Sequence, residues 1–131
     1  MFDFKTKVLV VDDMRTMRKM VKQNLQLMGF TTFEEAEDGA QAWAKLKDAF
    51  DIGLVISDWN MPNSTGLDFL KNVRADDRLK TTPFILLTAE GEVEQVKEAL
   101  AAGVDSYILK PFTPKSLKEK IEQTYKKRFS T

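Results

Sequence analysis

The chain has 131 residues, enough to bury a core without covalent staples and the right length for one domain, expected to span residues 1–131. Twenty Lys and Arg balance twenty Asp and Glu, which argues against general adhesion to nucleic acid or to an anionic membrane. Cysteine and histidine are both absent, so disulfides, thiolate nucleophiles, zinc–cysteine sites and imidazole bases are excluded, and chemistry falls to carboxylates, lysine and hydroxyls. The opening Met1-Phe2-Asp3-Phe4-Lys5 lacks the apolar core of a signal peptide, and no apolar run approaches a bilayer's thickness. A soluble, cytoplasmic protein is expected.

Apolar runs of strand length alternate with amphipathic stretches, the pattern of repeated βα units carrying a mainly parallel sheet, here (βα)5 in the α/β class. Val8-Leu9-Val10-Val11 is the first strand. Met17, Val21, Leu25 and Met28 then recur at helical spacing until Gly29, a C-terminal cap. Thr32 to Ala36 forms a weaker strand, followed through Asp38-Gly39 by a helix around Ala40 to Ala49 with Trp43 and Leu46 on its apolar side. Leu54-Val55-Ile56 leads to Asp58. Trp59-Asn60-Met61-Pro62-Asn63-Ser64-Thr65-Gly66 is a loop of turn formers ahead of a helix carrying Leu67, Leu70 and Val73.

Phe84-Ile85-Leu86-Leu87 ends on Thr88, and Val93, Val96 and Leu100 define the next helix, closed by Gly103. Tyr107-Ile108-Leu109 leads to Lys110-Pro111. Thr113 caps the last helix with Pro114 at its first position, and Leu117 and Ile121 continue the apolar stripe toward Tyr125. Along this helix Lys115, Lys118, Lys120, Lys126, Lys127 and Arg128 outnumber Glu119 and Glu122, and they are expected to form a solvated face; an acidic partner is the alternative.

Asp12, Asp13, Asp58 and Lys110 each stand just beyond an apolar run, and ligands of open α/β sheets bind beyond the carboxyl ends of parallel strands. Any one of these residues could merely cap a helix. A lysine among three acids is not explained by capping, so the four are read together as one site. Carboxylates gathered this closely repel one another unless a cation neutralises them, and an all-oxygen ligand set suits Mg2+. An aspartate beside such an ion can act as a nucleophile toward phosphorus, with Asp58 the best placed. Lys110 and the Thr88 hydroxyl suit the developing charge on phosphoryl oxygens.

The Val-Asp-Asp run ending at Asp13, Ser57-Asp58-Trp59-Asn60-Met61-Pro62, Leu87-Thr88-Ala89-Glu90, Tyr107 and Lys110-Pro111-Phe112-Thr113 together resemble the receiver domains of bacterial two-component systems, and within them the single-domain chemotaxis regulators. The resemblance covers essentially the whole chain. It implies a doubly wound, flavodoxin-like sheet of five parallel strands in the order 2-1-3-4-5. It also implies a stand-alone signalling protein, not an enzyme, that assists its own phosphorylation and dephosphorylation, with Asp58 accepting a phosphoryl group from a histidine kinase. Asp13, Asp58 and the Asn60 carbonyl would bind Mg2+, Asp12 acting mainly through a metal-bound water. Thr88 and Lys110 would contact the phosphoryl oxygens, with Lys110-Pro111 in the cis form.

By the same resemblance Asn60 and Glu90 tune dephosphorylation, Tyr107 is the switch residue, and Val96, Leu100, Tyr107 and Lys120 belong to the output face. The implied partners are the kinase, a flagellar motor switch protein and a phosphatase, met by a monomer. Glu92 and Val93 stand where the best-known enteric member of the family would lead one to expect two lysines. Val104-Asp105-Ser106 replaces a smaller, less charged stretch and is expected to alter the charge of the output face, while Met14 varies the entrance to the acid pair. Alternatives are a phosphorelay intermediate, a regulator of a non-motor partner, and an Mg2+-dependent phosphohydrolase; the last lacks a general acid at Asn60.

Overall fold

A computed structural model describes residues 2–49, 51–89 and 93–129. Strands and helices alternate as β1 (Lys7–Val11), α1 (Arg15–Leu27), β2 (Thr32–Ala36), α2 (Gly39–Asp48), β3 (Ile52–Asp58), α3 (Gly66–Ala75), β4 (Phe84–Ala89), α4 (Val93–Ala101), β5 (Ser106–Lys110) and α5 (Pro114–Phe129). All strand pairs are parallel, in the order β2-β1-β3-β4-β5 that the resemblance implied. The chain builds outward from β1 to β2, then returns across β1 to β3 and continues the other way. The winding therefore reverses between β1 and β3, and the crevice at their carboxyl ends is where Asp12 and Asp58 emerge.

Alternation along the strands divides the core into two layers. Leu9, Val11, Val55, Phe84 and Leu86 point to one face and pack against Ala42 and Leu46 of α2, Phe69, Leu70 and Val73 of α3, and Ala99 of α4. Val8, Val10, Leu54, Ile56, Ile85, Leu87 and Ile108 point to the other, against Val21 and Leu25 of α1 and Leu117 and Ile121 of α5. Both faces of β1, β3 and β4 are covered, which explains why these strands read as unbroken apolar runs. β2 is an edge strand with only Ala36 fully buried, so its sequence signal is weaker.

Local signals end the helices where expected. Gly29 at φ 109° and Gly103 at φ 96° take the left-handed conformation that closes α1 and α4. At α5 the Thr113 hydroxyl accepts from the Ser116 N–H at 3.0 Å, while the Ser116 hydroxyl accepts from the Thr113 N–H at 2.9 Å. Among the described residues no helix is long and apolar enough to cross a membrane.

At the amino-terminal edge of β4 and β5 a buried ion network ties the layers together. The Asp105 side chain is fully inaccessible to solvent: one carboxylate oxygen accepts from Arg74 at 3.0 Å and from the Phe84 N–H at 2.9 Å, the other from Arg128 at 2.6 Å. Arg74 also donates to the carbonyls of Gly103 and Thr82, at 2.8 and 2.7 Å. Burial, and then the charge of Arg128, lower the Arg74 pKa to about 10, which still leaves it protonated at neutral pH. This corrects two expectations. Asp105 carries its charge inward and adds none to the surface, contrary to the altered surface charge expected of it, and Arg128 is drawn off the solvated face of α5 because the buried carboxylate needs a cation.

Candidate functional site

Strand register assembles the site. Val11 pairs with Ser57, so Asp12 leaves β1 beside Asp58; Asp58 pairs with Leu87, the residue before Thr88; and Ala89 pairs with Lys110. Asp12, Asp58 and Thr88 are buried, whereas Asp13 and Asn60 are exposed. Carboxylate oxygens of Asp12, Asp13 and Asp58 all lie within 4.8 Å of one another. From the end of β5, Lys110 reaches across β4 and places its Nζ 2.7 Å from Asp58 Oδ1 and 3.6 Å from Asp12 Oδ2. The Lys110-Pro111 bond is cis, as the resemblance implied.

One lysine among three acids leaves negative charge uncompensated. Asp58 Oδ1 is held by Lys110 and by the Trp59 N–H at 2.9 Å. Asp12 Oδ1 accepts the Met14 N–H at 2.8 Å, but the buried Asp12 Oδ2 has no hydrogen-bond partner. Burial pushes the Asp12 pKa up to about 6; the Met14 N–H pulls the other way, as does Lys110, while Asp58 and Asp13 add to the rise. Asp58 is also raised, again by burial first, against the pull of Lys110. A divalent cation among these oxygens would relieve both the repulsion and the orphaned oxygen, so the residues fit Mg2+.

The loop after β3 is fastened at both ends. The Gly66 N–H donates to the Trp59 carbonyl at 2.9 Å, and a Cβ at Gly66 would stand 2.3 Å from the Asp58 carbonyl oxygen. Asn63, at φ 67°, donates from its side chain to Asp38 Oδ2 at 3.0 Å, while Asp38 Oδ1 caps α2 through the Gln41 N–H at 2.8 Å. The Gly39 N–H donates to the Ser64 carbonyl at 3.0 Å, and a Cβ at Gly39 would come within 2.6 Å of Ser64 Oγ. Turn-forming residues identified the loop; its attachment to α2 had no local sequence signal.

Tyr107, the expected switch residue, is half-buried on the edge strand β5, with Lys120 Nζ 5.2 Å from its ring centroid. Both line a shallow cavity of about 320 Å³ together with Leu109, Pro111 and Ser116. Val96, half-buried, and Leu100, exposed, lie on α4 outside that lining. Glu90, Glu92 and the side chain of Val93 lie outside the described residues. A further residue at the acid cluster escaped sequence reasoning: Arg18 is buried and donates to the Asp12 carbonyl at 2.7 Å. Its signal was a cation in register with Val21 and Leu25 on the apolar stripe of α1.

The model of the response regulator receiver domain matches residues 8–122. The chain is 52% identical over 116 residues to the chemotaxis protein CheY1 of Helicobacter pylori, covering 88% of this chain and 94% of that protein. Among solved structures, the chemotaxis response regulator CheY4 of Vibrio cholerae is similar with a TM-score of 0.83 at 39% identity, over 92% of this chain and 98% of that one. A CheX-CheY-BeF3-Mg+2 complex from Borrelia burgdorferi gives a TM-score of 0.85 at 29% identity, over 92% of this chain and 89% of that one.

Proposed function

The chain belongs to the response regulator receiver family, close to the chemotaxis regulators, and from that premise we propose that it is a single-domain signalling switch phosphorylated on Asp58 by a histidine kinase. The observation that carries this is the meeting of Asp12, Asp13, Asp58 and Lys110 at the carboxyl ends of β1, β3 and β5. Asp12, Asp13 and Asp58, with the Asn60 carbonyl, would hold Mg2+, which when bound draws charge from phosphoryl oxygens. An Asp58 carboxylate oxygen attacks phosphorus, the bond from phosphorus to the kinase imidazole nitrogen breaks, and its electron pair returns to the ring.

Lys110 follows the charge. In the resting chain it neutralises Asp58; after transfer it pairs with a phosphoryl oxygen, and the Thr88 hydroxyl donates to another. Thr88 moves toward the phosphoryl group and vacates space that Tyr107 takes by turning inward, which reshapes the surface shared with Lys120. Val96 and Leu100 extend that surface along α4, and a flagellar motor switch protein is the partner it serves. Attack of water on phosphorus releases inorganic phosphate and restores the carboxylate, with Asn60 and Glu90 governing the water's approach. The complex of a similar chain with CheX supports a role for accessory protein partners; a phosphatase that speeds this reset belongs to the same reading.

Intact-protein mass after incubation with acetyl phosphate tests this. A phosphoryl adduct that requires Mg2+ and is lost in Asp58→Asn is the expected result. The same adduct in Asp58→Asn would overturn the assignment of the acceptor.

A further inference from the structure

Asp12 is fixed through its backbone as well as its carboxylate. Its N–H donates to the Ala36 carbonyl of β2 at 3.1 Å, and its carbonyl accepts from Arg18 at 2.7 Å. That carbonyl belongs to the planar peptide unit joining Asp12 to Asp13, so its orientation sets where the two carboxylates stand relative to each other. Arg18 is itself held: its Nε donates to Glu35 at 3.0 Å, and the second oxygen of Glu35 accepts from Lys22 at 2.9 Å. A chain of bonds thus runs from the exposed side of α1, over the edge strand β2, to the peptide between two acids of the cluster.

We propose that Arg18, braced by Glu35, is a positioning residue for the phosphorylation site: it orients the Asp12–Asp13 peptide so that both carboxylates meet one divalent cation. The inference rests on the Mg2+ reading of the cluster. A guanidinium suits the task because its planar fork reaches two acceptors in fixed directions; a lysine ammonium keeps the charge without the fork. The sign of the effect separates positioning from charge. Removing a cation near three carboxylates strengthens cation binding by electrostatics alone, whereas misorienting two ligands weakens it. A residue that only stabilised the fold would leave the affinity of the folded protein unchanged.

The experiment is an Mg2+ titration at neutral pH followed by tryptophan fluorescence, Trp59 being the reporter whose N–H bonds Asp58, on the wild-type chain, Arg18→Met and Arg18→Lys, with urea unfolding of each to fix the folded fraction. Arg18→Met is expected to weaken Mg2+ about tenfold, the usual scale for losing a group that orients a ligand. Arg18→Lys, which keeps the charge and loses only the fork, should weaken it by a factor below that tenfold, and it carries the test if Arg18→Met does not fold. Unchanged affinity in the folded variants overturns the positioning role, and tighter binding reduces Arg18 to a charge. A wild-type chain that gives no saturable response to Mg2+, by fluorescence or by calorimetry, overturns the metal reading and this inference with it.

Discussion

Asp12 and Asp105 are both buried in the same sheet, at opposite ends, and they are treated in opposite ways. Asp105 meets Arg74, Arg128 and a backbone N–H, so both of its oxygens are bonded. Asp12 stands beside two other acids, shares one lysine with Asp58, and keeps an oxygen without a hydrogen bond. The first arrangement is complete without a ligand and locks α3, β4, β5 and α5 together. The second is complete only when something positive arrives. A buried carboxylate thus serves architecture when its partners come from the fold, and serves chemistry when they are left to be supplied.

Breaking the complete end should have the largest effect. Asp105→Ala leaves two half-buried arginines without the buried anion they share, and a loss of about 3–5 kcal/mol is expected in urea unfolding, the scale for removing one partner of a buried pair. Unchanged stability would show that Arg74 holds its place through the carbonyls of Gly103, Lys80 and Thr82 without the carboxylate.

At the incomplete end the sign reverses. The Asp12 pKa rises from 3.8 to about 6 on folding, so the folded chain binds the proton more tightly than the unfolded one. For this group metal-free stability is highest below the unfolded value and is lost as pH rises through the folded value. Asp12→Asn, which cannot ionise, should therefore stabilise the metal-free protein by about 3 kcal/mol at pH 7, a shift of about two units expressed as energy. The gain should shrink between pH 6 and pH 4 in denaturant titrations with chelator present. A gain that persisted in acid would mean that packing, not charge, penalises Asp12. The smallest effect belongs to the surface of β5 and α5: Lys120→Ala removes the cation from the Tyr107 ring and should cost about 0.5 kcal/mol in the same unfolding assay, the exposed scale for such contacts. A loss of several times that would make Lys120 part of the architecture.

The two ends also differed in how far they could be read in advance. Asp12, Asp58, Thr88 and Lys110 were legible because each follows an apolar run, and parallel strands with short offsets bring such ends side by side. Even the weak edge strand β2 has the expected bounds, Thr32–Ala36. The Asp105 network was not legible. Arg74, Asp105 and Arg128 lie on separate elements, and a basic helix end looks the same in sequence whether one of its cations turns inward or all face water. Arg18 was obscured for a related reason: helical periodicity weighs apolar positions and passes over a cation among them, yet that cation reaches the acid cluster through a backbone atom no side-chain pattern records.

The two fastenings of the loop after β3 bear on how this chain can drift over generations. Asn60, Pro62 and Asn63 are exposed, so much of the segment could change in composition. Its length cannot change as freely: the Gly66 N–H spans back to the Trp59 carbonyl while Asn63 and Ser64 reach Asp38 and Gly39, and one inserted residue would put both attachments out of step at once. Substitutions should therefore accumulate in this segment long before insertions or deletions do, and a copy of the gene with an altered count between positions 59 and 66 would be expected to have left the signalling role behind.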